Sequence, residues 1–295
     1  MFGKNEIVGK KYFKEVVGKD QLFVTSMFMT LQGEGPYRGL PAFFIRLAKC
    51  NLNCFFCDTF FDDGDWLTFA EINERIEDTI DQFYEDKGIE RPEWTNCYYE
   101  NGQVIPRKMV LVMTGGEPML QENIGSFLDA QVKCFAKTQI ESNGTQNTEI
   151  PTETTLVVSP KCSQKKNVSI KYLEPRKEVL ARADCLKFVM ESDPNSPYST
   201  IPDWAHQWAK ETGKEIYISP MNIYNDIPKN SKEKRANSNQ ISLGERSRID
   251  EVISFWEPGL LNMVENQKNH EYTAQYCITH GYILNLQIHL YASLA

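Results

Sequence analysis

The chain reads as an α/β protein built on a parallel sheet covered by helices. Three observations predict this. Short apolar stretches rich in β-branched and aromatic residues alternate with helical segments along much of the 295 residues, the pattern of βαβ units. Several strands run straight into turns rich in glycine, proline or cysteine, at residues 50–57, 114–118, 159–161 and 218–220. The length accommodates one large core as well as two small ones. Parallel-sheet enzymes gather their chemistry at the carboxyl ends of strands, so these four turns are expected to open on one rim.

Taken in order, residues 1–20 read as an extension, a short helix or arm. Gln21 to Thr30 (QLFVTSMFMT) reads as a strand, LQGEGPYRGLP as a loop punctuated by glycine and proline, and Ala42 to Leu47 (AFFIRL) as a buried strand feeding the cysteine loop. Thr68 and Glu71 match a capping box. The helix they open is expected to run to about Lys87, with Ile72, Ile76, Ile80 and Phe83 on one face and Gly88 as its stop. Residues 89–107 read as an inserted loop, Lys108 to Met113 as a strand, and Asn123 to Lys137 as a helix. Thr138 to Glu141, Thr155 to Val158, Cys185 to Met190 and Glu215 to Ser219 are expected strands, with a helix from Asp203 to Thr212 closed by Gly213. The polar stretch 225–248 reads as an exposed loop. A last helix, about Tyr272 to Thr279, then precedes a strand from Tyr282 to His289.

Composition narrows the function classes. A net charge of −8 argues against general affinity for nucleic acid. No apolar run reaches the length of a membrane span. The N-terminus is mildly basic but carries Glu6, Glu15 and Asp20, and has neither the apolar stretch of a secretory signal nor the bias of a transit peptide. The expectation is a cytoplasmic protein. Cys97, Cys134, Cys162, Cys185 and Cys277 are scattered, which suits a reducing compartment better than a disulfide framework.

The informative segment is Cys50-Asn51-Leu52-Asn53-Cys54-Phe55-Phe56-Cys57. Its three thiols sit at C-x3-C-x2-C spacing. A four-iron cluster is usually held by four thiolates, so a three-thiol loop leaves one iron open to a small molecule. S-adenosylmethionine can chelate that iron through its amino and carboxylate groups, and an electron from the cluster then breaks a C–S bond to release a carbon radical. Half a zinc site is the competing reading, but structural zinc takes four protein ligands in paired cysteines, and Cys97 lacks a partner at that spacing.

The other turns can supply recognition. In Thr114-Gly115-Gly116-Glu117-Pro118, free backbone amides can bond a ligand and successive glycines allow close approach; Glu117 could accept from an ammonium. Thr59, two residues past Cys57, is either a turn residue or a metal or substrate ligand, and Asp58 is a candidate to bond backbone or a cofactor hydroxyl. Arg46 lies inside an apolar strand and needs a partner, either a structural carboxylate or a substrate carboxylate. Gln32 and Glu34 are ordinary loop residues or hydrogen-bonding groups for a heterocycle. His206, His270, His280 and His289 form no metal-spaced pair and read as structural.

With these residues in view, the chain resembles the radical S-adenosylmethionine superfamily and, within it, the 7-carboxy-7-deazaguanine synthase family of queuosine and deazapurine biosynthesis. The likeness rests on residues 28–35 (FMTLQGEG), Gly39, Pro41, residues 44–47 (FIRL) and residues 50–59 (CNLNCFFCDT), with TGGEP, SPK and the C-terminal LQIHLYASLA. It implies a truncated (β/α) barrel over residues 21–295, with an extension over 1–20 and insertions near 89–107 and 225–260, working as a homodimer on a small pterin and fed by an electron donor such as a flavodoxin. It implies ring contraction of 6-carboxy-5,6,7,8-tetrahydropterin to 7-carboxy-7-deazaguanine with loss of ammonia, using a [4Fe-4S] cluster, S-adenosylmethionine and Mg2+.

Residue by residue, the resemblance puts the cluster on Cys50, Cys54 and Cys57, and Mg2+ at Thr59. S-adenosylmethionine falls to Phe56, Asp58, Gly116 and Glu117, to Ser159, Pro160 and Lys161, and to the turn Ser219, Pro220, Met221 and Asn222. Substrate falls to Leu31, Gln32, Gly33, Arg46 and Thr114. Family members that finish on a substrate-touching proline differ from this chain, which finishes at Ala295. Two other readings remain at this point: an activase that installs a glycyl radical on a partner protein, and a cluster-bearing regulatory protein without turnover.

Overall fold

The structure, a computed structural model, describes residues 6–14, 18–165, 168–225 and 261–294. Most of the polar stretch expected over 225–248, the insertion near 225–260 and Ala295 lie outside the described residues.

The strands are β1 (Gln21–Leu31), β2 (Pro41–Leu47), β3 (Asp65–Thr68), β4 (Tyr98–Glu100), β5 (Gln103–Ile105), β6 (Arg107–Gly115) and β7 (Phe135–Ser142). They continue as β8 (Thr155–Val158), β9 (Cys162–Lys165), β10 (Val168–Tyr172), β11 (Cys185–Met190), β12 (Ile216–Pro220) and β13 (Ile283–Leu284). The α-helices are α1 (Lys10–Lys14), α2 (Phe69–Glu85), α3 (Ile124–Gln131), α4 (Lys177–Arg182), α5 (Asp203–Thr212), α6 (Met263–His280) and α7 (Ile288–Tyr291).

Nine strands make one sheet in the order β13-β12-β11-β8-β7-β6-β2-β1-β3. From β2 to β13 every neighbouring pair is parallel; β1 is antiparallel to both β2 and β3. Parallel pairing aligns the carboxyl ends, so Arg46 lies beside Thr114, Ser142 beside Val158 and Val189 beside Ser219. A single large core of strand and helix side chains covers one face of this sheet, including Phe43, Ile45, Leu111, Phe127 and Phe188.

Helix α2 forms as its caps require. Thr68 accepts from the Glu71 amide, and the Glu71 carboxylate accepts from the Thr68 amide at 2.7 Å. Its buried positions are Ile72, Ile76, Ile80 and Tyr84, so Tyr84 rather than the expected Phe83 completes the inner stripe, one residue further along the 3.6-residue period. Phe83 is only half-buried, its ring beside the Lys87 ammonium at 4.3 Å.

Four further expectations are corrected. Residues 89–107 are not a plain loop: they hold a 3-10 turn (Glu93–Thr95) and the β4–β5 hairpin. The helix expected from Asn123 to Lys137 stops at Gln131, because Phe135 is drawn into the core as the start of β7 and the Cys134 carbonyl accepts from the Arg107 amide at 2.9 Å. The last long helix begins at Met263, where the Asn262 side chain caps the Glu265 amide, and not near Tyr272. Its buried residues are Asn266, Asn269, Thr273 and Cys277, so no apolar stripe announces it. The strand expected from Tyr282 to His289 is only β13; the chain then turns into α7. The expected strands at 155–158 and 185–190, and the helix 203–212 with Gly213 left-handed at φ 68°, form as read.

Candidate active site

All four odd turns contribute to one cavity of ≈ 240 Å³ at the carboxyl ends of the strands, close to the lower end of the roughly 300–1,000 Å³ usual for small-molecule sites. Strand β2 delivers the cysteine loop. Lys49 turns the chain through the left-handed region (φ 70°), and its amide donates to the Phe61 carbonyl at 2.6 Å, closing the loop on itself. Inside it the Cys57 amide donates to the Cys54 carbonyl at 3.2 Å, and the Leu52 amide points at Cys50 Sγ at 3.4 Å.

Cys50, Cys54 and Cys57 all line the cavity. Burial pushes each thiol up, Cys57 to about 12; the nearby Glu117 carboxylate adds to the effect at Cys50 and Asp58 at Cys57, while the Lys161 ammonium opposes it at Cys54 and Cys57. The metal-free pocket therefore holds thiols, and a metal must displace their protons. Among the described residues, no three His, Cys, Asp or Glu side chains come close enough together to hold an ion; the three thiols share a wall. As a donor set they still suit an iron–sulfur group: three soft ligands line one cavity, with no fourth cysteine among its described residues and a buried ammonium alongside.

The Gly-Gly turn owes its glycines to space. Gly115 has φ +116°, and a Cβ there would strike the Leu47 backbone; a Cβ on Gly116 would strike the Lys49 carbonyl. Glu117 does not line the cavity. Fully buried, its carboxylate accepts from the Met119 amide (2.9 Å), the Ser142 hydroxyl (2.8 Å) and the Asn143 amide (2.7 Å). It thus ties the turn after β6 to the end of β7. Burial pushes its carboxyl up against the opposing pull of those three donors.

The remaining expected residues divide. Leu31, Gln32, Arg46 and Thr114 line the cavity, as do Phe56, Asp58, Thr59, Gly116, Ser159, Lys161, Ser219, Pro220 and Asn222. Thr59 donates to Asp58 Oδ1 at 3.0 Å. The Arg46 guanidinium lies over the Phe28 ring at 4.8 Å. Gly33, Pro160 and Met221 are not on the cavity surface. Gly33 faces the His289 ring, where a Cβ would collide; Met221 is packed with Cys162 and Tyr198 behind Phe55 and Phe56.

The structure also assembles a charged cluster around Glu34 from residues that sequence reading passed over, Lys187 and Glu141. Lys187 on β11 bridges Glu34 at 2.9 Å and Glu141 at 2.5 Å, all three largely shielded from water. Gln32 and Gln139 donate to Glu141, and Ser219 donates to Glu34 at 2.9 Å. Burial pushes the Glu34 carboxyl up, but the Lys187 ammonium outweighs it and holds Glu34 below 4.5; the two carboxylates likewise hold Lys187 above 10.5 despite its burial. His289, expected to be structural, joins this wall beside Glu34, and burial pushes its imidazole below 6.5. Lys187 carried a legible signal, the one that singled out Arg46: a charged residue inside an apolar strand, here CLKFVM. Glu141 and His289 carried none in their spacing.

Comparison with known proteins shows the family. No protein-family profile matches the chain. It is 30% identical over 223 residues to a 7-carboxy-7-deazaguanine synthase of Rickettsia prowazekii (strain Madrid E), covering 76% of this chain and 80% of that one. It is 29% identical to the enzyme of that description from Rhodospirillum rubrum, covering 68% and 71%. The crystal structure of QueE from Escherichia coli superposes with a TM-score of 0.52 at 20% identity, over 95% of this chain and 99% of that one, and bears out the expected α/β fold with its large parallel sheet. On the extent and identity of the first of these relatives, the chain belongs to the 7-carboxy-7-deazaguanine synthase family.

Proposed function

We propose that this chain converts 6-carboxy-5,6,7,8-tetrahydropterin to 7-carboxy-7-deazaguanine with loss of ammonia, as the names of its relatives suggest. The observation that carries the reading is one cavity lined together by the three cysteines, the Gly-Gly and Ser159–Lys161 turns, Gln32, Arg46 and Thr114. In this reading Cys50, Cys54 and Cys57 hold a [4Fe-4S] cluster and Thr59 helps to hold Mg2+, a hard ion suited to a hydroxyl and substrate oxygens. When bound, the cluster and S-adenosylmethionine supply a carbon radical that takes a hydrogen from substrate.

The chain's own residues bind, orient and exclude water. Gly116, Ser159 and the turn at Ser219 would hold the sulfonium cofactor; Glu117 acts behind them by fixing the Gly-Gly turn. Arg46 offers its guanidinium to the substrate carboxylate. Glu34 and Glu141, both bonded by Lys187 Nζ, present acceptors to the N–H groups of a pterin ring. His289, largely neutral at pH 7, can pass a proton at a ring nitrogen. The reading extends to a homodimer supplied with electrons by a flavodoxin-type donor. No helix among the described residues is long and apolar enough to cross a membrane.

The test is anaerobic reconstitution with iron and sulfide, then incubation with S-adenosylmethionine, reductant, Mg2+ and the carboxypterin. The expected product is the deazaguanine acid, with S-adenosylmethionine recovered; a brown, cofactor-cleaving protein that leaves the pterin unchanged would remove this reading.

A further inference from the structure

Lys49 is an unusual residue for its place. It adopts a left-handed backbone at φ 70°, a strained conformation for a residue with a Cβ, and only 5% of it is exposed. Glycine would make the turn without strain, as Gly115 does beside it, so the side chain itself has work there. Its ammonium binds Asp62 at 2.7 Å and Glu6 at 3.3 Å, and lies 5.6 Å from the centre of the Tyr12 ring. Asp62 follows the cysteine loop; Glu6 and Tyr12 belong to the N-terminal arm.

The arm is fixed to the same point. The Glu6 amide donates to Asp62 Oδ1 at 2.9 Å, and the Val8 amide donates to the Cys50 carbonyl at 2.9 Å. Phe13 on α1 is buried with Phe23, Ala48 and Leu120. On its other side the Lys49 carbonyl accepts from the Glu117 amide at 2.9 Å. One residue thus joins the two ends of the cysteine loop, the Gly-Gly turn and the arm.

We propose that Lys49 is a positioning residue for the metal centre: its ammonium clasps residues 6–14 across the closed ends of the cysteine loop, making the arm a brace that holds the loop from behind. The inference rests on the cluster reading above. Residues outside the ligands that fix ligand geometry typically change metal retention by about 10–100-fold when removed.

The experiment compares wild type with Lys49→Gly, which keeps the turn and relieves its backbone, Lys49→Met, Lys49→Arg and the exposed-side Glu6→Gln. After reconstitution, Lys49→Gly and Lys49→Met are expected to lose cluster absorbance to an iron chelator roughly 10-fold faster than wild type. Their cluster midpoint potential should move negative, because the buried cation on the residue preceding Cys50 is gone. Lys49→Arg should restore both, and Glu6→Gln should fall between. In metal-free protein, the Val8 amide should exchange hydrogen faster in all but the Arg variant. Unchanged chelator resistance and potential in folded Lys49→Gly and Lys49→Met protein would overturn the proposal. Wild type that takes up no cluster would instead remove the functional reading, and Val8 exchange unaltered by Lys49→Gly would then dismiss the clasp as well.

Discussion

Replacing Lys187 with methionine removes one buried cation from between two buried carboxylates. The side chains of Lys187, Glu34 and Glu141 are 8%, 16% and 14% exposed, so water replaces little of what is lost. Breaking a buried ion pair by removing one partner costs about 3–5 kcal/mol. At roughly 2 °C per kcal/mol for a chain of this size, the metal-free protein should melt roughly 6–10 °C lower at neutral pH. The pH dependence identifies the cause. In wild type Glu34 is held below 4.5, so its contribution is present above that pH and lost as pH falls through the folded value. Lys187 is held above 10.5, so its contribution is complete below that and does not vary in the acid range. In Lys187→Met the burial that raises Glu34 remains and the cation that lowers it is gone. A carboxyl then takes up a proton readily, and the deficit against wild type should shrink between pH 7 and pH 4.5. Calorimetric melts at both pH values test this, with Glu34→Gln/Lys187→Met expected to recover part of the loss. A melting difference that is equal at the two pH values, or below about 2 °C at neutral pH, would refute the electrostatic account.

Gly116→Ala should place a methyl group against the Lys49 carbonyl, shift the turn or the cysteine loop, and destabilise by roughly 1–3 kcal/mol, read by thermal melts together with weaker S-adenosylmethionine binding in calorimetry. Alanine at Cys50, Cys54 or Cys57 should abolish iron uptake and brown colour on reconstitution while leaving the far-ultraviolet circular dichroism unchanged; a variant that keeps full iron content would exclude that cysteine as a ligand. Arg46→Ala should raise KM for the carboxypterin by about 10–100-fold, the worth of one charge-assisted hydrogen bond, while affinity for S-adenosylmethionine stays put.

Local chemistry made much of this protein legible. The β-branched and aromatic run of β1, the apolar β2 and the Thr68–Glu71 capping box each state their structure within a few residues. Helix α6 did not, because its inward positions are Asn266, Asn269 and Thr273. Those side chains are buried for their hydrogen bonds: Asn269 accepts from the Ser192 amide and donates to the Met221 carbonyl, and Asn266 accepts from the Ile223 amide. A reading based on apolar periodicity has nothing to find there. Likewise Phe135 begins a strand, and the Cys134 carbonyl before it is paired with Arg107, because β6 lies alongside and not because of any local preference.

The spacing of three cysteines after an apolar strand, and the glycines that follow the next strand, were set down in the order of residues and predicted both a thiol-walled pocket and its place at the strand ends. Tertiary structure alone decided that Glu34 meets Lys187 across 153 positions and Glu141 meets it across 46, and that Glu6 reaches Lys49 across 43. Each parallel crossover carries the chain away and returns it beside a strand chosen by packing. A buried charge finds its partner through that geometry, which no local pattern encodes.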